Sequence, residues 1–418
     1  MIRAAVDAVG ARRVVERALT DAELAGLLND RGLHVIAVGK AAAAMAAAFV
    51  TVPHLAIRKA IAIGTHAHAG LPQTVEWIES SHPFPDARSE AAGNRAVAIA
   101  QGVHSGEALV ILLSGGASAL MASPLDGISL ADKIGTTKRM MAAGADIHAL
   151  NTVRRHLSKV KGGRLAEACI GTTITLAISD VVGDDLNTIG SGPGVPDAST
   201  WSDAKAALHR FGGDTHARAV LDIVERGVAG KVPDTPKPGS ASMRRAHARV
   251  IGSRADAMEG AQAAAAARGY RTIVFPEAVT GEAKDAATKW FDRVRSELGP
   301  SPQKTCVISS GETTVKVTGS GTGGRNLEFA LALAEHLPRL GSCALASVGT
   351  DGIDGSSGVA GGIVDSTTMR RAQQAGLAPP GNYLAANDSF AFFAPLDDAV
   401  RLGRTDTNVG DIQVLLID

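Results

Sequence analysis

Aromatic residues are scarce in this chain, and neither charge is in excess. Phe, Trp and Tyr make up 3% of its 418 residues, and 42 basic residues balance 42 acidic ones. Proteins that bind nucleic acid or anionic membranes usually carry a basic excess, and platforms for stacked bases need aromatic rings. The composition therefore argues against a nucleic-acid partner or a membrane surface, and it makes any local basic cluster informative.

Cysteines and long apolar runs are also few. The three cysteines, Cys169, Cys306 and Cys343, lie far apart in the sequence and form no C-x-x-C pair. The apolar run Ala41–Val50 is too short to span a bilayer. Since no signal peptide is recognisable, we expect a reduced cytoplasmic protein without a transmembrane segment.

Glycine, in contrast, is abundant, with 47 residues, and several glycines follow short apolar runs. The run Leu109–Leu113 ends at the Ser-Gly-Gly of 114–116, after which small residues begin a helical pattern. The runs Val35–Val38, Thr173–Ile178 and Ala344–Val348 end in the same way, at a glycine or near an aspartate. Strands that alternate with helices predict an α/β protein with a mostly parallel sheet, in which ligands bind at the carboxyl ends of the strands.

The length of the chain predicts two domains. The stretch Gly227–Ser242 is rich in proline and glycine and is the expected linker. We therefore expect an N-terminal α/β domain at 1–235 and a second α/β domain at 243–418. The predicted strand Arg249–Gly252 would open the second domain.

Two basic features could bind an anion. Lys40 follows a predicted strand and opens the predicted helix Ala41–Phe49, where an ammonium group can reach a phosphate held at the helix end. A helix predicted within 151–166 carries a local excess of basic residues, namely Arg154, Arg155, Lys159 and Lys161. Binding of phosphate or carboxylate oxygens and an exposed helix face are both open readings of this cluster.

Acidic residues follow other predicted strands. Asp180 comes after the strand Thr173–Ile178, and Asp184 and Asp185 follow one turn later. Asp351 lies in a glycine-rich, acidic segment. These carboxylates could hold Mg²⁺ beside a phosphate chain, or Asp180 could accept a proton from a substrate hydroxyl. For Asp184 and Asp185 the capping of a turn is the alternative.

The segment 319–326, GSGTGGRN, lies between the predicted strand Thr313–Val317 and the predicted helix Leu327–His336. It is similar to a Walker A loop in which Arg325 replaces lysine and Asn326 replaces serine or threonine. It also satisfies the G-x-G-x-x-G spacing of dinucleotide-binding folds, a weak signal by itself. A glycine-rich hairpin fits the same residues.

Taken in order, these segments resemble the MOFRL-containing glycerate kinase family of the glycerate 2-kinase type, whose members also carry hydroxypyruvate reductase names. The resemblance rests on motifs spread over nearly the whole chain: VGKAA (38–42), HPFPD (82–86), LSGGASAL (113–120), NTVRRHLSKVKGGRLA (151–166), SDVVGDD (179–185), GSGPG (190–194), GETTV (311–315), GGRNLEFAL (323–331), GTDGIDG (349–355) and TNVGDI (407–412). Two positions depart from the family: Ser356 stands where proline is frequent, and Ala386 where asparagine is frequent.

The resemblance implies ATP-dependent phosphorylation of D-glycerate to 2-phospho-D-glycerate with Mg²⁺. It implies an active site in a cleft between a Rossmann-like N-terminal domain and a smaller C-terminal α/β domain, whose MOFRL segment covers about 304–412. The implied catalytic residues are Lys40, Asp180, Arg325 and Asp351. The implied nucleotide-binding residues are Ser114, Gly115, Gly116, Ser118, Arg154, Lys161, Gly323, Gly324 and Asn326, and the implied metal ligands are Asp180, Asp184 and Asp351.

Several alternatives stay open at this point. An NAD(P)-dependent hydroxypyruvate reductase would use the G-x-G-x-x-G segment, and a non-catalytic sensor of phosphorylated acids would keep the anion loops only. The expected partners are D-glycerate and ATP, with neither nucleic acid nor membrane, and homo-oligomerisation is open. The sequence does not separate a 2-phosphate from a 3-phosphate product or divide the roles of Asp180 and Asp351. Nor does it say which loop holds the nucleotide.

Overall fold

The computed structural model describes residues 1–66, 70–298 and 304–418. They form two compact units: the first unit is Val14–Ile251, and the second unit combines Met1–Arg13 with Gly252–Asp418. This division differs from the predicted domains 1–235 and 243–418. The chain beyond the predicted linker stays in the first unit up to Ile251, and Met1–Arg13 packs with the C-terminal half of the chain.

A six-stranded sheet forms the centre of the first unit. Its strands are β1 (Gly32–Val38), β2 (Ala56–Gly64), β3 (Val75–Glu79), β4 (Ala108–Leu113), β5 (Thr172–Ile178) and β6 (Ala246–Gly252). Their order is β3-β2-β1-β4-β5-β6, and neighbours from β3 to β5 pair in parallel. The predicted α/β class with a mostly parallel N-terminal sheet is confirmed. The expectation that Arg249–Gly252 opens the second domain is wrong, because these residues end β6 of the first sheet.

Helices pack on this sheet and also form a cluster of their own. They are α2 (Ala11–Leu19), α3 (Ala22–Leu28), α4 (Ala42–Val50), α5 (Ala87–Gln101), α6 (Ala117–Leu120), α7 (Leu130–Ala142), α8 (Ile147–His156), α9 (Arg164–Glu167), α10 (Trp201–Arg210) and α11 (Arg218–Val228). Helix α5 buries Ala92 and Ala96 in the core of the sheet. A separate apolar cluster, which includes Met140, Leu150 and Trp201, joins α7, α8, α10 and α11 and fixes the position of α7.

The direction of the strand order reverses between β1 and β4, and the loops that leave these two strands interlock. Gly39 has a φ of +128°, and a Cβ at this position would lie 2.1 Å from Ser114 Oγ. The backbone N–H of Lys40 donates to the carbonyl of Gly115 at 2.9 Å, and that of Ala41 donates to Ser114 Oγ at 3.1 Å. Ligands of parallel sheets bind at such a reversal, outside the carboxyl ends of the strands.

The second unit contains a mixed sheet. Its strands are β7 (Arg271–Val274), β8 (Val279–Glu282), β9 (Thr305–Thr314), β10 (Cys343–Gly349), β11 (Gly361–Asp365), β12 (Ala399–Val400) and β13 (Asp411–Ile417). The order is β12-β11-β10-β13-β9-β7, with β8 also beside β9. Strand β10 is antiparallel to both of its neighbours, so the parallel arrangement expected for Ala344–Val348 is wrong. A local strand pattern does not fix the direction of its partners.

The helices of the second unit are α1 (Ile2–Ala8), α12 (Arg254–Ala266), α13 (Ala283–Leu298), α14 (Arg325–Leu333), α15 (Thr368–Gln374), α16 (Pro380–Ala385) and α17 (Ser389–Phe393). Helix α14 begins at Arg325, two residues before the predicted start, and β9 ends at Thr314, before the predicted Val317. The aromatic part of this unit's core consists of Phe275, Trp290, Phe291, Phe329, Phe392 and Phe393. The few aromatic residues of the chain are therefore concentrated in packing.

Two further expectations concern the environment of the protein. Among the described residues, no helix is long and apolar enough to cross a membrane. Cys169, Cys306 and Cys343 are all buried and carry free thiols. The cytoplasmic location expected from the sequence stays a prediction.

The interlocked loops at 39–41 and 114–116, called the elbow below, can be tested by adding one methyl group. Gly39→Ala should lower the free energy of unfolding by about 2 kcal/mol or more, because the methyl would meet Ser114 and the positive φ strains alanine. Gly26→Ala is the control, since Gly26 lies inside α3 and a Cβ there would meet nothing within 4 Å. It should stabilise the protein by roughly 0.5–1 kcal/mol through helix propensity. Urea denaturation measures both, and equal stabilities of the two variants would contradict the account.

Candidate active site

A cavity of about 370 Å³ opens in the first unit beside the loop that leaves β4. Its wall combines that loop, the 82–85 segment, one face of α7 and two basic residues. The lining residues are His82, Pro83, Phe84, Pro85, Gly116, Ser118, Ala119, Ala122, Leu130, Lys133, Ile134, Thr137, Lys138, Met141, Arg154 and Lys161. Within the described chain, this lining is cationic and apolar and contains no carboxylate.

Lys161 reaches the cavity from the segment after α8. Its side chain is 3% exposed, and Nζ donates to the carbonyl and the hydroxyl of Ser118, both at 2.9 Å. Burial lowers the pKa of Lys161 well below its ordinary value, and the charges of Lys133 and Arg154 lower it further. Two neutral oxygens solvate the ammonium without cancelling its charge. Lys161 therefore places a basic group in the cavity wall, and a bound anion would favour its charged form.

Lys133 lies on α7, which a capping box of Ser129 and Asp132 starts. Lys133 is 6% exposed, and its Nζ has no hydrogen-bond partner in the described structure. Burial lowers the pKa of Lys133 to about 7; Arg154 lowers it as well, while Glu90 raises it. A buried, unpartnered ammonium is costly. Its position in the cavity wall makes it a candidate for contact with an anionic ligand.

The basic segment predicted as one helical cluster divides between two roles. Helix α8 ends at His156, so Lys159 and Lys161 lie beyond it, and the predicted continuation of the helix is wrong. Arg154 lines the cavity, and burial lowers its pKa. Arg155 instead pairs with Asp197 at 3.3 Å, and Lys159 forms an ion pair with the exposed Asp126. The exposed-helix-face reading does not describe Arg155, whose partner Asp197 is buried, or Lys159, which lies beyond the helix. Anion binding by Arg154 and Lys161 stays a prediction.

Lys40 lies on the elbow, next to the cavity lining. It is exposed, and its backbone is fixed by the hydrogen bond to Gly115. The pKa of His82, a lining residue, is lowered by burial and by the charge of Lys40, so these two side chains are electrostatic neighbours. The positive charge of the wall therefore continues to Lys40.

The contacts of the Ser-Gly-Gly loop at 114–116 favour a structural role over direct ligand binding. Ser114 is fully buried, and its hydroxyl accepts the N–H of Ala41. A Cβ at Gly116 would lie 3.1 Å from the ring of His82, so this glycine admits the 82–85 segment. Helix α6, with four residues, is too short for a strong dipole. These contacts favour structural roles for Ser114 and Gly115, while Gly116 and Ser118 line the cavity.

The acidic residues after β5 have different local roles. Asp180 is half-buried two residues beyond the end of the strand. Asp184 is half-buried with a φ of +55°. Asp185 accepts the N–H of Asn187 at 2.9 Å and the hydroxyl of Thr188 at 2.8 Å, which is the turn-capping alternative. Among the described residues no three His, Cys, Asp or Glu side chains form a metal cage.

Arg325, in the second unit, is held by two carboxylates. Its Nε donates to Asp411 at 3.0 Å and its Nη1 to Glu312 at 2.9 Å. Asp411 is 1% exposed, and burial raises its pKa to about 6 although Arg325 lowers it. The pKa of Arg325 is raised by the same partners. The charge of Arg325 is therefore compensated inside the protein, unlike that of Lys133 or Lys161.

The glycine-rich loop before α14 packs against protein instead of leaving space for phosphate. Asp354 is buried and accepts the N–H of Asn326 at 3.0 Å and that of Leu327 at 2.9 Å, so a carboxylate already caps this helix. A Cβ at Gly324 would lie 2.3 Å from Asp354 Cγ, and one at Gly323 would lie 2.3 Å from Ser389 Oγ. These contacts favour a structural role for Gly323, Gly324 and Asn326 over the predicted nucleotide contact.

Asp351 lies near the Arg325 cluster. It follows β10, is half-buried, and accepts the N–H of Ile353 at 3.1 Å. A Cβ at Gly349 would lie 3.3 Å from Asp351 Oδ1 and 3.6 Å from Asn326 Nδ2. Since Asn326 Nδ2 donates to Asp411 at 2.8 Å, Asp351 and the Arg325 partners gather at one edge of the second sheet.

Sequence reasoning missed four residues of these sites. Lys133 lies on α7 outside the quoted motifs, and the sequence there predicts a solvent-exposed lysine. Phe84 belongs to the HPFPD motif, in which the family resemblance assigns no site residue. Glu312 and Asp411 likewise lie in quoted motifs, GETTV and TNVGDI. The motifs that contain Phe84, Glu312 and Asp411 could have pointed to these residues. Lys133 lies in none of the motifs, so nothing in the sequence marked it.

The free-energy cost of burying Lys133 can be tested by measuring protein stability as a function of pH. Its pKa of about 7 in the folded protein lies below about 10.4 for a free lysine. The unfolded chain then binds more protons between these values, so the free energy of unfolding of wild type rises with pH across this window. Lys133→Met should be more stable than wild type at about pH 7, by roughly 1–4 kcal/mol, and the difference should shrink towards pH 10.

Urea denaturation across this pH range measures the effect. Lys159→Met is the control, because its ion pair with Asp126 lies at the surface; it should change the free energy of unfolding by less than about 1 kcal/mol. A Lys133→Met protein less stable than wild type at neutral pH would show that the ammonium is satisfied within the fold.

Comparison with known proteins identifies the family of this chain. Residues 1–225 match a domain of unknown function, DUF4147, and residues 305–411 match the MOFRL family. A D-glycerate 2-kinase of Thermotoga maritima is 34% identical over 100% of this chain and 97% of that protein. A protein of Agrobacterium vitis with the provisional name hydroxypyruvate reductase is 37% identical over 92% of this chain and 86% of that protein. The crystal structure of a Thermotoga maritima glycerate kinase matches with a TM-score of 0.88 and 33% identity, over 100% of this chain and 97% of that one. The chain belongs to the MOFRL-containing glycerate 2-kinase family.

Proposed function

We propose that the protein transfers the γ-phosphoryl group of ATP to D-glycerate and forms 2-phospho-D-glycerate. The observation that carries this proposal is the cation-lined cavity at the strand-order reversal, in a chain related over its whole length to a D-glycerate 2-kinase. Parallel sheets bind ligands at such a reversal. Lysine and arginine side chains suit phosphate oxygens.

Phosphoryl transfer depends on positioning and charge neutralisation, with little covalent work for the protein. Ser118, Arg154 and Lys161 would hold phosphate oxygens at the cavity wall. Lys40, exposed on the fixed elbow, would neutralise the charge of the transferred group. Its placement suits this role because the backbone is pinned while the ammonium end is outside the core.

Mg²⁺ fits the acidic residues, although no protein cage exists for it in the described chain. Mg²⁺ beside phosphates is usually held by one or two carboxylates together with the phosphate oxygens. Asp180 and Asp351, each half-buried just beyond the end of a strand, supply carboxylates of this kind. Asp184 stays a predicted third ligand. The bound ion would offset the negative charge of the phosphate chain, and Asp180 or Asp351 would orient the glycerate hydroxyl.

Arg325 would act as a rigid group and not as a mobile cation. Glu312 and Asp411 fix its guanidinium and compensate its charge. A fixed arginine suits the recognition of a carboxylate such as that of glycerate. That both units supply catalytic residues stays a prediction.

The reductase alternative loses its main support in the structure. A dinucleotide-binding loop needs glycines that admit a pyrophosphate and an open helix N-terminus. Here a Cβ at Gly319 would lie 2.1 Å from the carbonyl of Ala386, and one at Gly321 would lie 2.3 Å from Asp388 Cβ. The helix N-terminus is capped by Asp354. The protein itself therefore fills the space that a pyrophosphate would need.

One assay separates the three candidate functions. The protein is incubated with D-glycerate and Mg²⁺-ATP, and in parallel with hydroxypyruvate and NADH or NADPH. We expect ADP release that depends on D-glycerate, with 2-phosphoglycerate identified by ³¹P NMR, and no loss of reduced-nucleotide absorbance. Reduction of hydroxypyruvate without ADP release would support the reductase, and binding of phosphorylated acids without either reaction would support the sensor.

The role of Lys40 is tested by Lys40→Ala. Removing a cation that neutralises the transferred phosphoryl group should lower kcat by about 10³-fold. The free energy of unfolding should change by less than about 1 kcal/mol, because the side chain is exposed. Lys205→Ala, which removes an exposed lysine paired with Glu225, is the control and should keep wild-type kinetics. A fully active Lys40→Ala enzyme would exclude the proposed role.

A further inference from the structure

The cavity of the first unit has two chemically different ends. Helix α7 contributes a stripe to its wall, at the spacing of one helix face: Leu130, Lys133, Ile134, Thr137, Lys138 and Met141. From Lys133 to Met141 the helix rises about 12 Å. The cavity therefore follows α7 for a length that exceeds a three-carbon acid.

The end near Lys133 collects positive charge. Lys133, Arg154 and Lys161 all line it. Burial lowers the pKa of both lysines, the charge of Arg154 lowers both further, and the charge of Lys133 also lowers that of Lys161. The Nζ of Lys133 is buried, at the cavity wall, and without a partner in the described structure. These three basic side chains, with no carboxylate in the described lining, suit a ligand that carries more than one negative charge.

The other end combines exposed apolar side chains with one lysine, Lys138. Phe84 is 61% exposed and Met141 is 56% exposed, although large apolar side chains are usually covered. Lys138 Nζ lies 5.2 Å from the centre of the Phe84 ring. An aromatic ring and a flexible thioether in one cavity wall offer apolar contact to a heterocyclic base. Glycerate has no apolar body to cover these side chains.

We infer that this cavity is the nucleotide site: the phosphate chain of ATP binds Lys133, Arg154 and Lys161, and the adenine base packs between Phe84 and Met141. The inference rests on the proposed kinase function and assigns one of its two substrates to one place. Lys133 thereby becomes a binding residue for the phosphates, and Phe84 becomes a determinant of nucleotide affinity. The acid substrate must then bind elsewhere.

Binding of ADP, which needs no turnover, tests the assignment by calorimetry. Lys133→Met should raise the Kd for ADP about 10- to 100-fold and weaken tripolyphosphate similarly, since each loses a charged contact. Phe84→Ala should raise the Kd for ADP about tenfold and leave tripolyphosphate unchanged, because only the base loses its stacking surface. Lys159→Met, outside the cavity, should bind both ligands as wild type does.

The KM for D-glycerate provides the result that would overturn the assignment. Phe84→Ala should leave the KM for D-glycerate within about twofold of wild type. If Lys133→Met and Phe84→Ala raise the KM for D-glycerate while the Kd for ADP stays unchanged, the cavity takes the acid and the assignment is overturned. If wild type binds ADP more tightly than Lys133→Met does but wild type does not phosphorylate D-glycerate, the proposed function fails and the nucleotide site stands.

Discussion

Lys133, Arg154 and Lys161 line one cavity, and no carboxylate lies among the described residues of its wall. Placing like charges together in a buried wall destabilises a protein unless a ligand offsets them. The surrounding fold holds them in place nevertheless. Ser129 and Asp132 start α7, and the apolar cluster around Met140, Leu150 and Trp201 fixes α7 against α8.

In the second unit, by contrast, carboxylates of the protein pair with the positive charge. Arg325 is fixed by Glu312 and Asp411, and the N-terminus of α14 is capped by Asp354. Positive charge here is already compensated by protein carboxylates. The first unit thus has basic side chains in a cavity whose described lining holds no carboxylate, while the second has a rigid arginine and the half-buried Asp351. This contrast separates the role proposed for Lys133 and Lys161 from that proposed for Arg325.

Much of this organisation follows from local sequence, and the failures have physical causes. The run that became β4 is buried along its whole length, so its apolar character predicted it well. Neither the antiparallel pairing of β10 nor the place of β6 in the first sheet is encoded locally, because each depends on distant partners. Asp354 and Asp411 reach their partners across long stretches of chain. Lys133 was missed because only tertiary burial distinguishes it from a solvated lysine.

The central claim is that the cavity cations become fully charged when an anion joins them. Titration of ADP into the protein at about pH 8, in two buffers of different ionisation enthalpy, measures the protons exchanged on binding. Because the pKa of Lys133 is about 7 in the ligand-free protein, the account predicts proton uptake by wild type and a smaller uptake by Lys133→Met. ADP binding without proton uptake, or with equal uptake by both proteins, would contradict it.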